Sequence, residues 1–262
     1  MKSKDVSILW GYLNQRKKES KWRDIKLRKA VNYGINRKEL WRYAAKGNAY
    51  NLKGFLIPPG CYGHNPNLTP FTYDTTKAKA LLTDAGYPEG FEVNMIAQEA
   101  WKLEAQIISK MLERIGLKVT LDVLTYPESL RKFYVPLLDK PPEEQDWDIL
   151  IARTSDVYAG GTHFLTAGCI EEADFRWIQY DPVYEQMWED YKKIVDSGAQ
   201  EDKVREMMQH VHDHAYFLFV YSPLSLFAVN KEVNFVPQKF TYMRLKETSV
   251  TDKHWSVRGQ DQ

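Results

Sequence analysis

A short apolar stretch in the second half of the chain limits the fold more than any other feature. Trp147, Ile149, Leu150 and Ile151 place four apolar residues in five positions. Such a run is too short for a helix and too apolar for a strand with one solvent-exposed face. It is typical of a strand that is covered on both faces. The chain then turns polar, and the following segment, residues 156–162, contains Gly160 and Gly161. Open α/β sheets bind ligands at junctions of this kind, although such a loop can also do no more than reverse the chain.

The apolar pattern earlier in the chain predicts a strand–helix–strand unit. Residues 91–97 and 119–123 alternate between apolar and polar side chains, as half-buried strands do. Between them, residues 103–115 repeat apolar side chains at helical spacing, and Gly116 ends the helix. Two parallel strands joined by a right-handed crossover helix are the expected result. The fold class is therefore α/β.

Capping residues mark the ends of other predicted helices. Asn36 and Glu39 form a capping box, Asp74 caps a helix over residues 75–85, and Asp181-Pro182 begins a helix that ends near residues 197–198. The remaining elements are strands over residues 6–13 and 217–221, the second ended by Pro223, and helices over residues 25–33, 127–138 and 202–215.

Composition excludes several classes of protein. The net charge is +1, which provides no electrostatic basis for a nucleic-acid or membrane partner. The longest apolar stretch, residues 217–229, is interrupted by polar residues and is too short to cross a bilayer, and the charged N-terminus lacks the apolar core of a signal peptide. Cys61 and Cys169 lack metal-site spacing, and their pairing is left open. Aromatic residues make up 13% of the chain, a content that suits a binding cleft or a large core.

Six separated motifs occur in a fixed order along the chain. They are LRKAVNYGINR at residues 27–37, IPPG at 57–60, YDTTKAKALL at 73–82, AGYPEGF at 85–91, LERIGLKV at 112–119 and WDI at 147–149. Together these motifs resemble those of the family 5 extracellular solute-binding proteins, the oligopeptide-, dipeptide- and nickel-type receptors of ABC importers. The resemblance covers roughly residues 13–236, and departures such as Asn36 in place of the usual Asp keep the helix cap.

The resemblance implies an architecture and a place in a longer protein. Family members have two lobes, and the motif at residues 27–37 lies near their midpoint. The chain is therefore expected to be the C-terminal half: residues 1–225 form lobe two of a type II periplasmic-binding fold, with helices flanking a mainly parallel mixed sheet. Residues 226–262 are a return segment of lobe one, which should be exposed or self-associating without its partner lobe.

The resemblance also implies ligand-binding residues in the loop after the WDI strand. In peptide receptors an aspartate there pairs with the ligand's α-amino group, and Asp156 stands at the matching place, with Thr154, Ser155 and Tyr158 around it. The alternative is a solvated loop acid. Arg153 resembles the position at which nickel-type relatives bind a carboxylated chelator.

Three further residues are candidates for the same cleft. Gln98 and Trp101 follow a parallel strand, whose carboxyl end should face the ligand. Trp101 could stack on a ligand or begin a helix core, and the second is favoured. Tyr221 could bond ligand backbone or be a buried core tyrosine, again with the second slightly favoured.

The chemistry of the remaining residues argues against an enzyme. His210 and His214 share a helix face, but no glutamate follows the first histidine and no third ligand is evident, so surface histidines are expected rather than a metal site. No nucleophile–base set or phosphate loop is visible, and no cofactor is expected.

The predicted function is the substrate-binding component of an ABC importer. It would capture a small solute, expected to be an oligopeptide, and deliver it to a membrane permease. The alternatives are a ligand-sensing domain of a transcriptional regulator, or an oligosaccharide or metal-chelate receptor. The full-length parent is expected outside the cytoplasm, in the periplasm or lipid-anchored, with membrane attachment only through an N-terminal anchor missing from this chain.

Overall fold

A computed structural model describes residues 1–4, 7–51, 57, 59–134, 140–155, 169–171, 173, 176–237 and 245–258. Its strands are β1 (Lys2–Lys4), β2 (Ser7–Leu13), β3 (Ala49–Asn51), β4 (Glu92–Gln98), β5 (Lys118–Leu124), β6 (Ile149–Ser155), β7 (Phe217–Leu226), β8 (Val233–Asn234) and β9 (Ser249–Val250). Its α-helices are α1 (Ile25–Gly34), α2 (Arg37–Tyr43), α3 (Thr75–Asp84), α4 (Lys102–Arg114), α5 (Tyr126–Ser129), α6 (Pro182–Lys193), α7 (Ser197–Asp213) and α8 (Trp255–Arg258).

Seven strands form one mixed sheet. Its order is β1-β7-β2-β6-β4-β5, and β3 pairs with β7 off this path. The pairs β4–β5 and β4–β6 are parallel, so the predicted strand–helix–strand unit is confirmed as β4-α4-β5. β2 pairs antiparallel with β6 and β7, and β7 pairs antiparallel with β1 and β3. The predicted α/β class with a mixed sheet is confirmed. Among the described strands, four of the six pairings in this sheet are antiparallel, so it is not mainly parallel as expected, and the antiparallel strands occupy one side of the sheet.

The apolar run of β6 is buried on both faces, as predicted. Ile149 and Ile151 belong to the core that the sheet shares with α1, α3 and α4. Leu150 and Ala152 face the opposite core, which contains residues of α6 and α7. Successive side chains of a strand point to opposite faces, so a strand between two helical layers needs apolar residues at every position.

Helix caps behave as expected at three positions and differently at two. Asp74 accepts from the Lys77 amide, and Asp181 accepts from the amides of Val183 and Tyr184. Asn36 caps α2, but the Glu39 carboxylate binds Arg114 of α4. Residues 197–198 were predicted to end a helix, which is wrong. α6 ends at Lys193, and α7 begins at Ser197, because Asp196 caps the new helix.

The helix predicted over residues 127–138 is shorter and irregular. α5 covers Tyr126–Ser129, and the chain continues as a π-helical turn over Leu130–Tyr134. Residues 135–139 lie outside the described part of the chain.

The prediction that Pro223 ends a strand is wrong. β7 continues to Leu226, because its ladder partner changes from β2 to β3 and β1. Residues 221–223 pair with β3, and residues 224–226 pair with β1. Proline is tolerated in a strand where its missing N–H is not needed by the ladder.

Of the three histidines around the end of α7, His212 is buried, contrary to expectation, whereas His210 and His214 are partly exposed. The His210 ring nitrogen lies 2.8 Å from an Asp181 oxygen. Burial alone would raise the pKa of the Asp181 carboxyl, but hydrogen bonds from Tyr216 and His210 outweigh it and lower the pKa to about 2. His210 therefore ties α7 to the start of α6.

The end of the chain contains a second sheet of two strands. β8 and β9 pair only with each other among the described strands. Leu226, Leu245 and Trp255 are exposed, Trp255 to 73%. The assignment of residues 226–262 to a missing lobe stays a prediction, and these apolar side chains are the surface that it would cover.

Candidate functional site

The candidate site is the sheet edge at which the parallel strands end. β4 and β6 run side by side, with Met95 opposite Ile149 and Ala97 opposite Ile151. Gln98 is the last residue of β4, and Arg153 lies one pleat beyond Ile151. A 3₁₀ turn, Glu99–Trp101, leads directly into the 13-residue helix α4. The positive end of the α4 dipole therefore points to the same edge.

Trp101 and Arg153 meet at this edge. The Cζ atom of Arg153 lies 5.8 Å from the centroid of the Trp101 ring, within the range of a cation–π interaction. Both side chains are partly buried. The pair combines a flat apolar ring with a planar cation, which suits contact with an apolar side chain and with a carboxylate.

Cross-strand pairing places Tyr221 on the same face as Arg153. Arg153 is opposite Leu9, and Leu9 is opposite Tyr221. Directly opposite residues of antiparallel strands share a face. Three neighbouring strands thus contribute one row of side chains that begins at Arg153.

Tyr221 is buried, with 2% exposure, and its hydroxyl donates to Glu104 of α4 at 2.6 Å. Burial, together with this bond and the nearby carboxylate, raises the pKa of Tyr221 far above its ordinary value. The tyrosine keeps its proton, and its hydroxyl holds the first turn of α4 against β7. The expected contact between Tyr221 and a ligand stays a prediction.

Glu104 was not among the predicted site residues. It is buried and lies four residues before Ile108, on the stripe of α4 that faces the sheet. A carboxylate on an otherwise apolar stripe was the available signal, since buried acids are rare unless paired.

Two of the other predicted residues, Thr154 and Ser155, are the last residues of β6, and their backbones pair with Ile8 and Ser7. Their side chains, and all of Asp156 and Tyr158, lie outside the described residues, as does most of the glycine-containing loop.

Removal of the Tyr221 hydroxyl should destabilise the fold. Tyr221→Phe leaves the Glu104 carboxylate buried without its donor, and we expect a loss of about 1.5–3 kcal/mol in the free energy of unfolding. Urea denaturation measures it. Tyr43→Phe, at an exposed tyrosine, is the control and should change stability little. Equal stability of the two variants would contradict the role of this bond.

The described part of the chain contains no group of three or more His, Cys, Asp or Glu suited to a metal. Cys61 and Cys169 do not form a disulfide, and burial raises the pKa of the Cys169 thiol. Within the described ranges, no helix combines the length and apolar character that a membrane span requires.

The fold and the edge just described define the class of protein first: a lobe of the type II periplasmic-binding architecture. The structure of the ABC transporter-associated periplasmic binding protein DppA from Helicobacter pylori, in complex with peptide STSA, matches with a TM-score of 0.75 at 23% identity over 86% of this chain and 43% of that one. At this identity the likeness concerns the fold alone.

The family follows from the sequence. Residues 2–170 match the model described as bacterial extracellular solute-binding proteins, family 5 middle, and the chain belongs to that family. It is 24% identical to the dipeptide-binding protein of Escherichia coli K12 over 234 residues, 85% of this chain and 42% of the relative. It is 29% identical to the glutathione-binding protein GsiB of Salmonella choleraesuis over 121 residues, 45% of this chain and 23% of the relative. The chain thus spans less than half the length of these relatives.

Proposed function

We propose that this chain is one lobe of the solute receptor of an ABC importer, and that the solute is a peptide. The observation that carries the proposal is the Trp101–Arg153 pair at the carboxyl edge of β4 and β6, in a chain of the family 5 type. The E. coli relative is a dipeptide-binding protein, and the H. pylori structure holds the peptide STSA. Both names support a peptide over other solutes.

The chemistry of each side chain at this edge determines which group of the ligand it contacts. Trp101 packs against an apolar ligand side chain, and Arg153 offers guanidinium donors to a ligand carboxylate. Asp156, at the position that the family resemblance assigns to the amino anchor, pairs with the ligand's α-amino group. Residues 1–225 form this wall, and residues 226–262 complete the facing lobe in the longer protein, which acts outside the cytoplasm with a membrane permease.

Calorimetric titration of the full-length receptor with a dipeptide and with the tetrapeptide STSA tests the proposal. Asp156→Ala should weaken peptide binding by about 30-fold or more, since a buried charge loses its partner. Trp101→Ala should weaken it by about tenfold, because a large apolar contact is lost. Trp41→Ala, at an exposed tryptophan of α2, is the control.

The outcomes distinguish the alternatives. Binding of cello- or manno-oligosaccharides without peptide binding would replace the peptide with a sugar, and binding of a nickel chelate would point to the metal-chelate class. Unchanged peptide affinity in both site variants would remove this edge from the site. In the gene, an upstream helix-turn-helix region would favour a regulator over an importer.

A further inference from the structure

We propose a second binding site, for a small anion that carries a phosphate or carboxylate group, at the sheet edge opposite the candidate solute site. A cavity of about 320 Å³ lies where β2 ends and β6 begins, lined by Gln15, Arg16, Arg23, Glu143 and Arg176 among others. This volume is close to the lower limit for small-molecule sites, which is roughly 300 Å³. The site is separate from the proposed peptide function and does not depend on it.

The lining has an excess of positive charge. Three guanidinium groups face one carboxylate, Glu143, and Arg16 binds that carboxylate through Nε at 2.7 Å and through Nη2. Arg23 donates to the backbone carbonyl of Gln15 at 2.9 Å and, among the described residues, has no carboxylate within ion-pair distance. The charge of Arg23 is therefore available to an anion in the cavity.

The Arg176 side chain gives the main support for an anion site. Its exposure is 9%, and its one ion pair in the described ranges joins Nη2 to Glu171 at 3.7 Å, a carboxylate whose side chain is 62% exposed. Its Nε and Nη1 atoms are buried and have no hydrogen-bond partner in the part of the chain that the structure describes. Buried guanidinium N–H groups without acceptors are costly. An oxyanion in the cavity would supply an acceptor to one of these N–H groups, which lie on different edges of the guanidinium.

The site is held in place by bonds that need no ligand. The backbone N–H of Gln15 donates to the Trp177 carbonyl at 2.9 Å. Nη1 of Arg16 donates to the Arg176 carbonyl at 3.3 Å. The end of β2 is thus fixed to the segment that carries Arg176. The Gln15 Oε1 atom is buried without a described donor, and it could accept from the hydroxyl of a protonated phosphate. A preformed set of this kind lowers the ordering cost of binding.

The test measures thermal unfolding of the 262-residue chain with increasing inorganic phosphate, citrate or chloride at constant ionic strength. We expect a saturable rise in Tm with phosphate or citrate, as for any ligand that binds only the folded state, and none with chloride. The phosphate and citrate arms distinguish the two oxyanion classes. An equal rise with chloride, or no rise with either oxyanion, would overturn the proposal.

Variants tie the response to the cavity. Arg176→Met should abolish the anion-dependent rise, and Arg23→Gln, at an exposed side chain that leaves the core intact, should weaken the anion's Kd by about threefold to tenfold. The control is Arg131→Gln, an exposed arginine in the π-helical turn outside this cavity. If Arg23→Gln showed the same rise in Tm and the same anion Kd as the wild type, the proposal would be overturned, even if Arg176→Met failed to fold.

Discussion

Replacement of Arg37 by methionine is expected to lower the free energy of unfolding by about 3 kcal/mol or more. The Arg37 side chain is buried and donates to backbone carbonyls of Phe219 at 2.8 Å, Asn32 at 3.0 Å and Phe71 at 3.0 Å, and to the Asn32 side chain at 3.0 Å. Burial lowers the pKa of Arg37 to about 10. Among the described residues, hydrogen bonds to uncharged acceptors and no ion pair offset the cost of the buried cation, and a methionine would leave several of these acceptors unsatisfied.

Urea denaturation of Arg37→Met and Arg42→Met compares two arginines of the same helix. Arg42 is exposed and lies over the Tyr43 ring, so its replacement should cost less than about 0.5 kcal/mol. Arg37→Lys keeps a charge but loses the planar fork, and it should fall between wild type and Arg37→Met. Equal stability of the Arg37 and Arg42 variants would show that the carbonyl network contributes little.

Alanine at Gly90 is expected to destabilise the protein by about 3 kcal/mol or more, and alanine at Gly86 by only about 1–2 kcal/mol. Both glycines have positive φ, +70° at Gly90 and +87° at Gly86. A Cβ at Gly90 would lie 1.8 Å from the carbonyl oxygen of Gly116, whereas a Cβ at Gly86 would meet nothing within 4 Å. The backbone strain is similar, and only Gly90 adds a clash with main chain.

Thermal or urea unfolding of the two alanine variants isolates that clash. Gly90 and Gly116 precede β4 and β5, and their close approach brings the starts of these parallel strands together. If Gly90→Ala proved no more destabilising than Gly86→Ala, the approach of the two backbones would have to be looser than the structure has it.

Features that depend on neighbouring residues could be predicted from the sequence. The caps at Asp74 and Asp181 depend on groups two or three residues away, and the alternation in β4 and β5 is a property of each strand alone. The unbroken apolar run of β6 predicted cover on both faces, which the structure confirms. Local chemistry is sufficient for these elements.

Features that depend on distant residues could not be predicted. Tyr221 and Glu104 are 117 positions apart, and nothing near either residue identifies its partner. The same applies to Arg37, whose hydrogen-bond acceptor at Phe219 lies 182 positions away. The continuation of β7 past Pro223 depends on β3 and β1, whose short sequences carry little strand signal of their own.

Strand β7 also limits how this lobe can move against anything joined to its far end. Ten residues of strand span about 33 Å, and a paired strand resists bending because bending breaks ladder bonds. The β2–β7 ladder has a register shift beside Leu9, which pairs with Tyr221. A rotation transmitted along β7 would therefore concentrate next to Tyr221, in the same row of side chains as Arg153. Ligand binding at that edge and bending of β7 would then be coupled through this row of side chains.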